Sequence, residues 1–182
     1  MVRSNEIAVL WDMDGVIVDT APYHFAAWQQ VFEKRGVKFT RVEFKRSFGR
    51  RNETIIPDIL NESISAVEIA AIAKEKEAVF RRLGQNKIKP FPGAVKLIKH
   101  LAERRIKMAL VSSTPAGNIQ VVLSSLGIAD LFQTVISGED VAEGKPNPEG
   151  FLLAAERLGV RPERCVVIED STAGVSAAKR AG

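Results

Sequence analysis

Two acidic residues, Asp12 and Asp14, follow a strongly apolar stretch at positions 7–11 and precede Gly15. Residues two apart on an extended segment point the same way, so both carboxylates would crowd one site unless a cation or a proton divides them. One carboxylate could then bind Mg²⁺ and attack an electrophile, while the other donates a proton as a general acid. A calcium loop is excluded, because it needs an acid at position five and glycine at position six, where this segment has Val16 fifth and Gly15 fourth.

Further polar groups follow each of the later strands that the sequence predicts. They are Ser112, Ser113 and Thr114 after the second strand, Lys145 in the loop after the third, and Glu169 and Asp170 after the fourth. Ligands of parallel sheets bind beyond the carboxyl ends of the strands, so these groups form one set. Carboxylates from two strand ends make a hard oxygen site suited to Mg²⁺, whereas a hydroxyl, a lysine and a helix N-terminus suit a phosphate.

The elements that position this set alternate along the second half of the chain. Near-continuous apolar runs at 108–111, 134–136 and 165–168 predict strands. They are separated by predicted helices that end near Arg105, before Gly127 and before Gly159, and a last helix ends at Gly182. Together with the apolar stretch at 7–11, this alternation predicts an α/β fold with a doubly wound parallel sheet.

Residues 20–87 differ from this pattern, because no strand-like run is visible between Val16 and Pro90. Apolar residues at helical spacing predict one helix from Ala21 to Gly36. Ser65 and Glu68 form a capping box, which predicts a second helix from Ala66 to about Arg82. The segment therefore reads as an all-helical insertion.

Composition limits the class of protein. The chain has 182 residues, enough for one domain that carries an insertion. Its single cysteine, Cys165, reads as a core residue and excludes an internal disulfide, which favours a reducing cytoplasm. We expect no membrane span, and a net charge of +4 is too small to argue for nucleic-acid binding. The basic run of Lys34, Arg35, Lys38, Arg41, Lys45, Arg46, Arg50 and Arg51 is either a solvated face or a surface that attracts an anionic substrate.

Four stretches, DMDGVIVDT, LVSST, GKPNPEGF and VVIEDSTAGVSAAKRAG, together resemble the haloacid dehalogenase superfamily, in particular its phosphatases and phosphomutases with a helical cap, of the β-phosphoglucomutase type. The resemblance implies a Rossmann-like core at 1–19 and 88–182 and a cap at 20–87 that closes over the substrate. It also implies a final edge strand that is absent from this chain. The implied roles are a nucleophile, Asp12; a general acid and base, Asp14; phosphate-binding residues, Ser112, Ser113 and Lys145; and metal ligands, Asp170 and Glu169 with the Asp12 carboxylate and the Asp14 carbonyl.

Several assignments have structural alternatives. Ser112 could cap the following helix, Lys145 could be a surface lysine, and Glu169 could lie behind the metal ligands. Within the insertion, His24 and Trp28 resemble cap residues near the family's active site, although packing explains Trp28 equally well. Thr20 reads mainly as a helix cap.

A second phosphate on the substrate would need its own arginine. In the family's mutases that arginine lies three residues after a cap glycine, but here Gly49 is followed directly by Arg50 and Arg51, with Asn52 at the third position. Recognition of a phosphate by the planar guanidinium of arginine depends on where that group is placed. The displaced position of the arginines therefore favours a phosphatase over a mutase.

The sequence therefore predicts a Mg²⁺-dependent phosphomonoester hydrolase that acts on a small sugar phosphate through an aspartyl-phosphate intermediate. A phosphohexomutase such as β-phosphoglucomutase is the alternative, and an inactive relative that still binds metal and phosphate is a third possibility. A non-enzymatic phospho-acceptor domain also combines an aspartate, Mg²⁺, a hydroxyl and a lysine. Such domains lack the acid at plus two and the large helical insertion, so Asp14 and residues 20–87 argue against that class.

Overall fold

The computed structural model describes residues 6–47, 50–61, 63–85 and 87–182. They divide into two compact units. The sheet unit contains the residues up to Asp19 together with Ile88–Gly182, and the helical unit contains Thr20–Lys87.

The sheet unit is built on four parallel strands: β1 (Ala8–Trp11), β2 (Lys107–Val111), β3 (Thr134–Ile136) and β4 (Cys165–Ile168). Their order across the sheet is β3-β2-β1-β4, so β1 is central. In the register of the sheet, Trp11 lies opposite Leu110 of β2 and Ile168 of β4. The first residues after β1 and β4 therefore lie side by side. This parallel arrangement confirms the α/β class expected from the sequence.

The helices of the described residues follow in chain order. They are α1 (Ala21–Glu33), α2 (Arg41–Ser47), α3 (Asn52–Leu60), α4 (Ala66–Gly84), α5 (Ala94–Glu103), α6 (Ala116–Leu126), α7 (Glu149–Leu158) and α8 (Thr172–Ala181). Short 3₁₀ turns at Ala129–Leu131 and Pro162–Arg164 precede β3 and β4. Gly127 and Gly159 end α6 and α7 in the left-handed conformation, as the sequence predicted.

The core of the sheet unit lies between the strands and the helices that follow them. Leu10, Ala109 and Ile136 of three neighbouring strands are buried in one cluster with Phe151 and Leu158 of α7. Burial of apolar surface is the main favourable contribution to folding, so this cluster fixes the strand ends relative to one another.

The helical unit packs α1 against α4 around an aromatic cluster. Trp28 stacks on Phe32 at a ring separation of 5.0 Å, and Phe39 lies 5.2 Å from Phe32. The start of α4 is confirmed at Ala66, where Ser65 and Glu68 form both bonds of the capping box. The separate helices α2 and α3 were not predicted individually.

The expectation that Thr20 caps α1 is wrong. Thr20 precedes α1, but its φ and ψ of −94° and −11° are helical, and its side chain makes no capping bond. A capping side chain normally needs extended backbone and a free amide in the first turn, and Pro22 removes one of those amides. At the other end, the last turn of α1 tightens after Glu33, and the chain leaves it at Gly36 with φ of +72°.

Cys165 packs against the core cluster of the sheet unit, but it is less buried than the sequence predicted. Its side chain is half-buried, and Val166 beside it is 57% exposed. In the described part of the sheet, β4 pairs with β1 on one side only, so an apolar run there is less covered than the same run in β1.

Candidate active site

Lys145 joins two carboxylates at the ends of β1 and β4. Its ammonium lies 2.5 Å from Asp12 Oδ1 and 2.7 Å from Glu169 Oε1, and it also donates to the carbonyl of Val111 at 3.2 Å. Asp12 and Glu169 directly follow the paired residues Trp11 and Ile168, so the sheet register brings them together. The lysine is therefore held at three neighbouring strand ends rather than on the surface.

Burial and neighbouring charges together determine the ionisation of these groups. Asp12 is only 6% exposed, and burial raises the pKa of its carboxyl to about 7, although the Lys145 ammonium opposes the rise and the Asp14 carboxylate adds to it. Burial acts to lower the pKa of Lys145, but Asp12 and Glu169 together hold that pKa above its usual value. A cation bound to Asp12 would favour its ionised form, as Lys145 does.

Asp12, Glu169 and Asp170 form a group of three carboxylates. Each offers one oxygen, and these oxygens all lie within 4.8 Å of one another. The second oxygen of Glu169 accepts from the amide of Ser171 at 2.6 Å, which orients that carboxylate. Burial raises the pKa of Asp170, and the neighbouring Glu169 charge adds to the effect. Carboxylate oxygens suit hard divalent cations such as Mg²⁺, Ca²⁺ and Mn²⁺, so these three residues could hold a metal ion.

Two glycines make room for this group. Gly15 has φ of +92°, and a Cβ there would collide with the Asp170 carboxylate. A Cβ on Gly174 in α8 would collide with the Glu169 carboxylate. The sequence reasoning did not assign Gly174 to the site, because the contact depends on how α8 packs after β4. For Gly15, the signal was its place directly after Asp14.

Asp14 lies in a different set of contacts from Asp12. Its Oδ2 accepts a hydrogen bond from the Thr114 hydroxyl at 2.9 Å, and the Ser112 hydroxyl lies 3.4 Å away. The Asp14 carboxylate is not a member of the three-carboxylate group found among the described residues. The two carboxylates of the Asp-x-Asp pair therefore have different partners, although the charge of Asp14 still acts on Asp12.

The turn after β2 holds the hydroxyls named by the sequence. Ser112 is 4% exposed, and its Oγ accepts from the amide of Thr114 at 3.1 Å rather than from α6. Ser113 is half-buried, and its carbonyl lies so close to Gly138 that a Cβ there would collide with it. Thr114 belonged to the predicted set of polar groups but was given no role of its own, and its position two residues after Ser112 is the signal that could have indicated one.

The predicted cap residues lie in the helical unit. His24 stacks on Phe80 at 4.0 Å, and its Nδ1 lies 2.9 Å from the buried Lys76 ammonium. Burial lowers the pKa of His24 well below its usual value, and Lys76 acts in the same direction. The structure brings His24 into a buried polar cluster within its own unit.

Arg50 and Arg51, the two arginines predicted to contact the substrate, lie directly before α3. Arg50 forms an ion pair with Asp58 at 2.6 Å, and both side chains are largely exposed. Arg51 precedes α3, and its carbonyl accepts from the amides of Thr54 and Ile55. Gly49, the reference point for the displaced arginine, lies outside the described residues. Elsewhere in the basic run, Lys34 and Arg35 bind Glu75 of α4, which supports a solvated face for these two residues.

In the described part of the chain, the helices are too short or too polar to span a bilayer.

Residues 8–182 match the model of the haloacid dehalogenase-like hydrolase family. A phosphorylated carbohydrates phosphatase of Thermotoga maritima is 38% identical over 96% of this chain and 81% of its own length. A beta-phosphoglucomutase of Bacillus subtilis is 36% identical over 96% of this chain and 80% of its own length. The crystal structure of CbbY from Rhodobacter sphaeroides in complex with phosphate superposes with a TM-score of 0.89 at 30% identity, covering 98% of this chain and 84% of that one. These matches agree with the resemblance carried by the four motifs, and the chain belongs to the haloacid dehalogenase-like hydrolase family.

Proposed function

We propose that this protein is a Mg²⁺-dependent phosphatase of small phosphorylated carbohydrates, with Asp12 as the nucleophile. The observation that carries the proposal is the contact of Lys145 with both Asp12 and Glu169 at the ends of neighbouring strands. It combines a buried carboxylate with a fixed positive charge, which is what transfer of a phosphoryl group to a carboxylate requires. The similarity to a phosphorylated carbohydrates phosphatase supports the substrate class.

In the first step, Asp12 attacks the phosphorus of the substrate. Because Lys145 binds Oδ1, we assign the attack to Oδ2. A bond forms between Oδ2 and phosphorus while the bond from phosphorus to the leaving oxygen breaks, and Asp14 gives its proton to that oxygen. The Lys145 ammonium and the Ser112 hydroxyl would hold the phosphoryl oxygens, whose charge changes during the transfer.

In the second step, a water molecule hydrolyses the aspartyl phosphate. Asp14, now ionised, takes a proton from the water as it attacks phosphorus, and the bond between phosphorus and Asp12 breaks. Inorganic phosphate leaves, and both carboxylates return to their starting forms. The same residue thus serves as acid and then as base.

Asp12, Glu169 and Asp170 are the residues that would hold Mg²⁺, with the Asp14 carbonyl as the further ligand that the family resemblance implies. When bound, the ion neutralises charge on the phosphoryl group and on the carboxylates. The spacing of the three carboxylates fits such an ion. The closing of residues 20–87 over the substrate and the reducing cytoplasm stay predictions from the sequence.

A beta-phosphoglucomutase activity is the second candidate, because a protein of that name is 36% identical to this chain. Mutase chemistry needs the bisphosphate to be held by its second phosphate while it reorients. Arg50, one of the two arginines offered by the sequence, is bound to Asp58, which disfavours that grip. We therefore expect hydrolysis to exceed phosphoryl transfer between two hydroxyls.

With β-glucose 1-phosphate, Mg²⁺ and a trace of the 1,6-bisphosphate, we expect free phosphate to accumulate faster than glucose 6-phosphate. Both products are measured in one time course, and a reaction with excess chelator is the control. Accumulation of glucose 6-phosphate well ahead of free phosphate would establish the mutase instead. In that case Arg50 and Arg51 would be the first residues to substitute.

Asp170→Ala is expected to raise the Mg²⁺ concentration needed for half-maximal activity by roughly tenfold or more, because it removes one charged metal ligand of three. Turnover at saturating Mg²⁺ should fall much less. The measurement is a Mg²⁺ titration of phosphatase activity. Asp130→Ala, in the exposed turn Ala129–Leu131, is the matched control. An unchanged Mg²⁺ requirement would exclude Asp170 as a ligand.

A further inference from the structure

Thr114 is a buried residue whose polar groups are all engaged. It is 9% exposed. Its amide donates to Ser112 Oγ at 3.1 Å, its carbonyl accepts from the amide of Gly138 at 3.2 Å, and its hydroxyl donates to Asp14 Oδ2 at 2.9 Å. A β-branched side chain has few rotamers, so these bonds fix the direction of the hydroxyl.

The loop after β3 holds this turn in place. Gly138 donates to Thr114, and its missing Cβ lets the loop lie against the carbonyl of Ser113. The Glu139 carboxylate accepts from the amide of Ala116 at 3.3 Å, at the start of α6. The position of the Thr114 hydroxyl is thus set by contacts between two loops of the protein itself.

The two hydroxyls near Asp14 are not equivalent. The bond from Thr114 has an ordinary length for two oxygens, whereas the 3.4 Å separation from Ser112 exceeds that range. Ser112 is therefore available to a phosphoryl oxygen, while Thr114 is the principal partner of the carboxylate among the contacts described here.

We propose that Thr114 is a positioning residue that aims the Asp14 carboxyl at the leaving oxygen of the substrate. The inference rests on the proposed function and deepens it, because it assigns the orientation of the general acid to one hydroxyl. A misplacement of about 1 Å in a catalytic group costs on the order of 10²-fold in rate, so an anchor of this kind affects turnover directly.

The proposal makes the effect of Thr114 depend on the leaving group. An alkoxide must be protonated as it departs, and so it needs a correctly placed Asp14. A 4-nitrophenolate is a stable anion and departs with little help from an acid. The value of kcat/KM reports the steps up to departure of the alcohol, so hydrolysis of the aspartyl phosphate does not obscure the comparison.

The test compares benzyl phosphate with 4-nitrophenyl phosphate, two probes of similar size, on the full chain with saturating Mg²⁺. In Thr114→Val, which keeps the β-branch and the amide, kcat/KM for benzyl phosphate should fall about 10- to 100-fold. The value for 4-nitrophenyl phosphate should fall less than about threefold, since that step hardly uses the acid. Inhibition by inorganic phosphate should be unchanged, which shows that the Ser112 turn is intact.

Two further variants keep the proposal falsifiable. Thr114→Ser should restore most of the lost rate, because it returns the hydroxyl. Thr134→Val in β3 makes the same chemical change at a half-buried position outside the site and should behave as wild type. Equal losses on both substrates, no loss at all, or weaker phosphate inhibition in Thr114→Val would each overturn the inference. If the wild-type protein hydrolyses neither probe, the proposed function fails and this inference fails with it.

Discussion

Asp12→Asn is expected to lower phosphatase turnover by about 10⁴-fold or more, because an amide neither attacks phosphorus nor balances the charge of a bound metal ion. The side chain it replaces is buried and bound to Lys145, so no other carboxylate can take its place without moving a strand end. The substitution is nearly isosteric. It leaves unchanged the hydrogen bond that the backbone amide of residue 12 donates to the carbonyl of Ile168. Loss of chemistry should therefore occur in a folded protein.

The measurement is steady-state hydrolysis of 4-nitrophenyl phosphate at saturating Mg²⁺, together with the melting temperature. Asp130→Asn, on an exposed turn, makes the same chemical change away from the strand ends and should keep full activity. Trapping with labelled substrate should give a phosphorylated wild-type protein and an unlabelled variant. Activity of more than a few per cent in Asp12→Asn would show that another group is the nucleophile.

The grouping of Asp12, Lys145, Glu169 and Asp170 could be predicted from the sequence because it follows from topology. Parallel strands end at one edge of a sheet, so residues that directly follow β1 and β4 must lie together once the strands are identified. The register that pairs Trp11 with Ile168 then fixes which residues are neighbours. Apolar runs and glycine stops were sufficient for this part of the fold.

The different hydrogen-bond partners of Asp12 and Asp14 could not be predicted in the same way. Alternation along an extended segment placed both carboxylates at one site, but the chain turns at Met13 and Asp14, where the amides of Ile17 and Val18 return to the Met13 carbonyl. Local turn geometry and the hydroxyl of Thr114 therefore decide where Asp14 points. Such contacts between loops of different strands leave no periodic signal in the sequence.

Partners distant in sequence also determine the contacts of the predicted cap residues. The sequence offered Arg50 and His24 as substrate contacts, but it could not show that Asp58 binds the first and that Lys76 lies beside the second. The sequence shows only where a charged side chain stands in the chain. Whether that side chain can bind a substrate depends on the residues that folding places beside it. The same reasoning applies to Lys34 and Arg35, which share Glu75.

Lys145→Met should lower turnover by about 10³-fold, because removing one fixed charge that stabilises the transferring phosphoryl group costs 10² to 10³ or more. It should also destabilise the metal-free protein by about 3 kcal/mol, since the Lys145 side chain is only 12% exposed and loss of its charge leaves Asp12 and Glu169 as neighbouring charges without their common cation. Methionine retains the apolar stem but loses the charge of the ammonium, which lies 5.2 Å from the centroid of the Phe151 ring. The expected loss therefore reflects the charge rather than packing.

Mg²⁺ separates these two effects of Lys145→Met. Saturating Mg²⁺ should restore much of the lost stability, because a cation held by the same carboxylates again offsets their repulsion. It should not restore turnover. In the proposed mechanism, the Lys145 ammonium beside Asp12 Oδ1 also binds the phosphoryl oxygens, and Mg²⁺ does not replace that contact. Urea unfolding measures the stability and phosphatase assays measure the turnover, each with and without Mg²⁺. Lys179→Met, at an exposed position of α8, is the matched control. Recovery of turnover by Mg²⁺ alone would mean that Lys145 only neutralises the carboxylates and takes no part in binding the phosphoryl group.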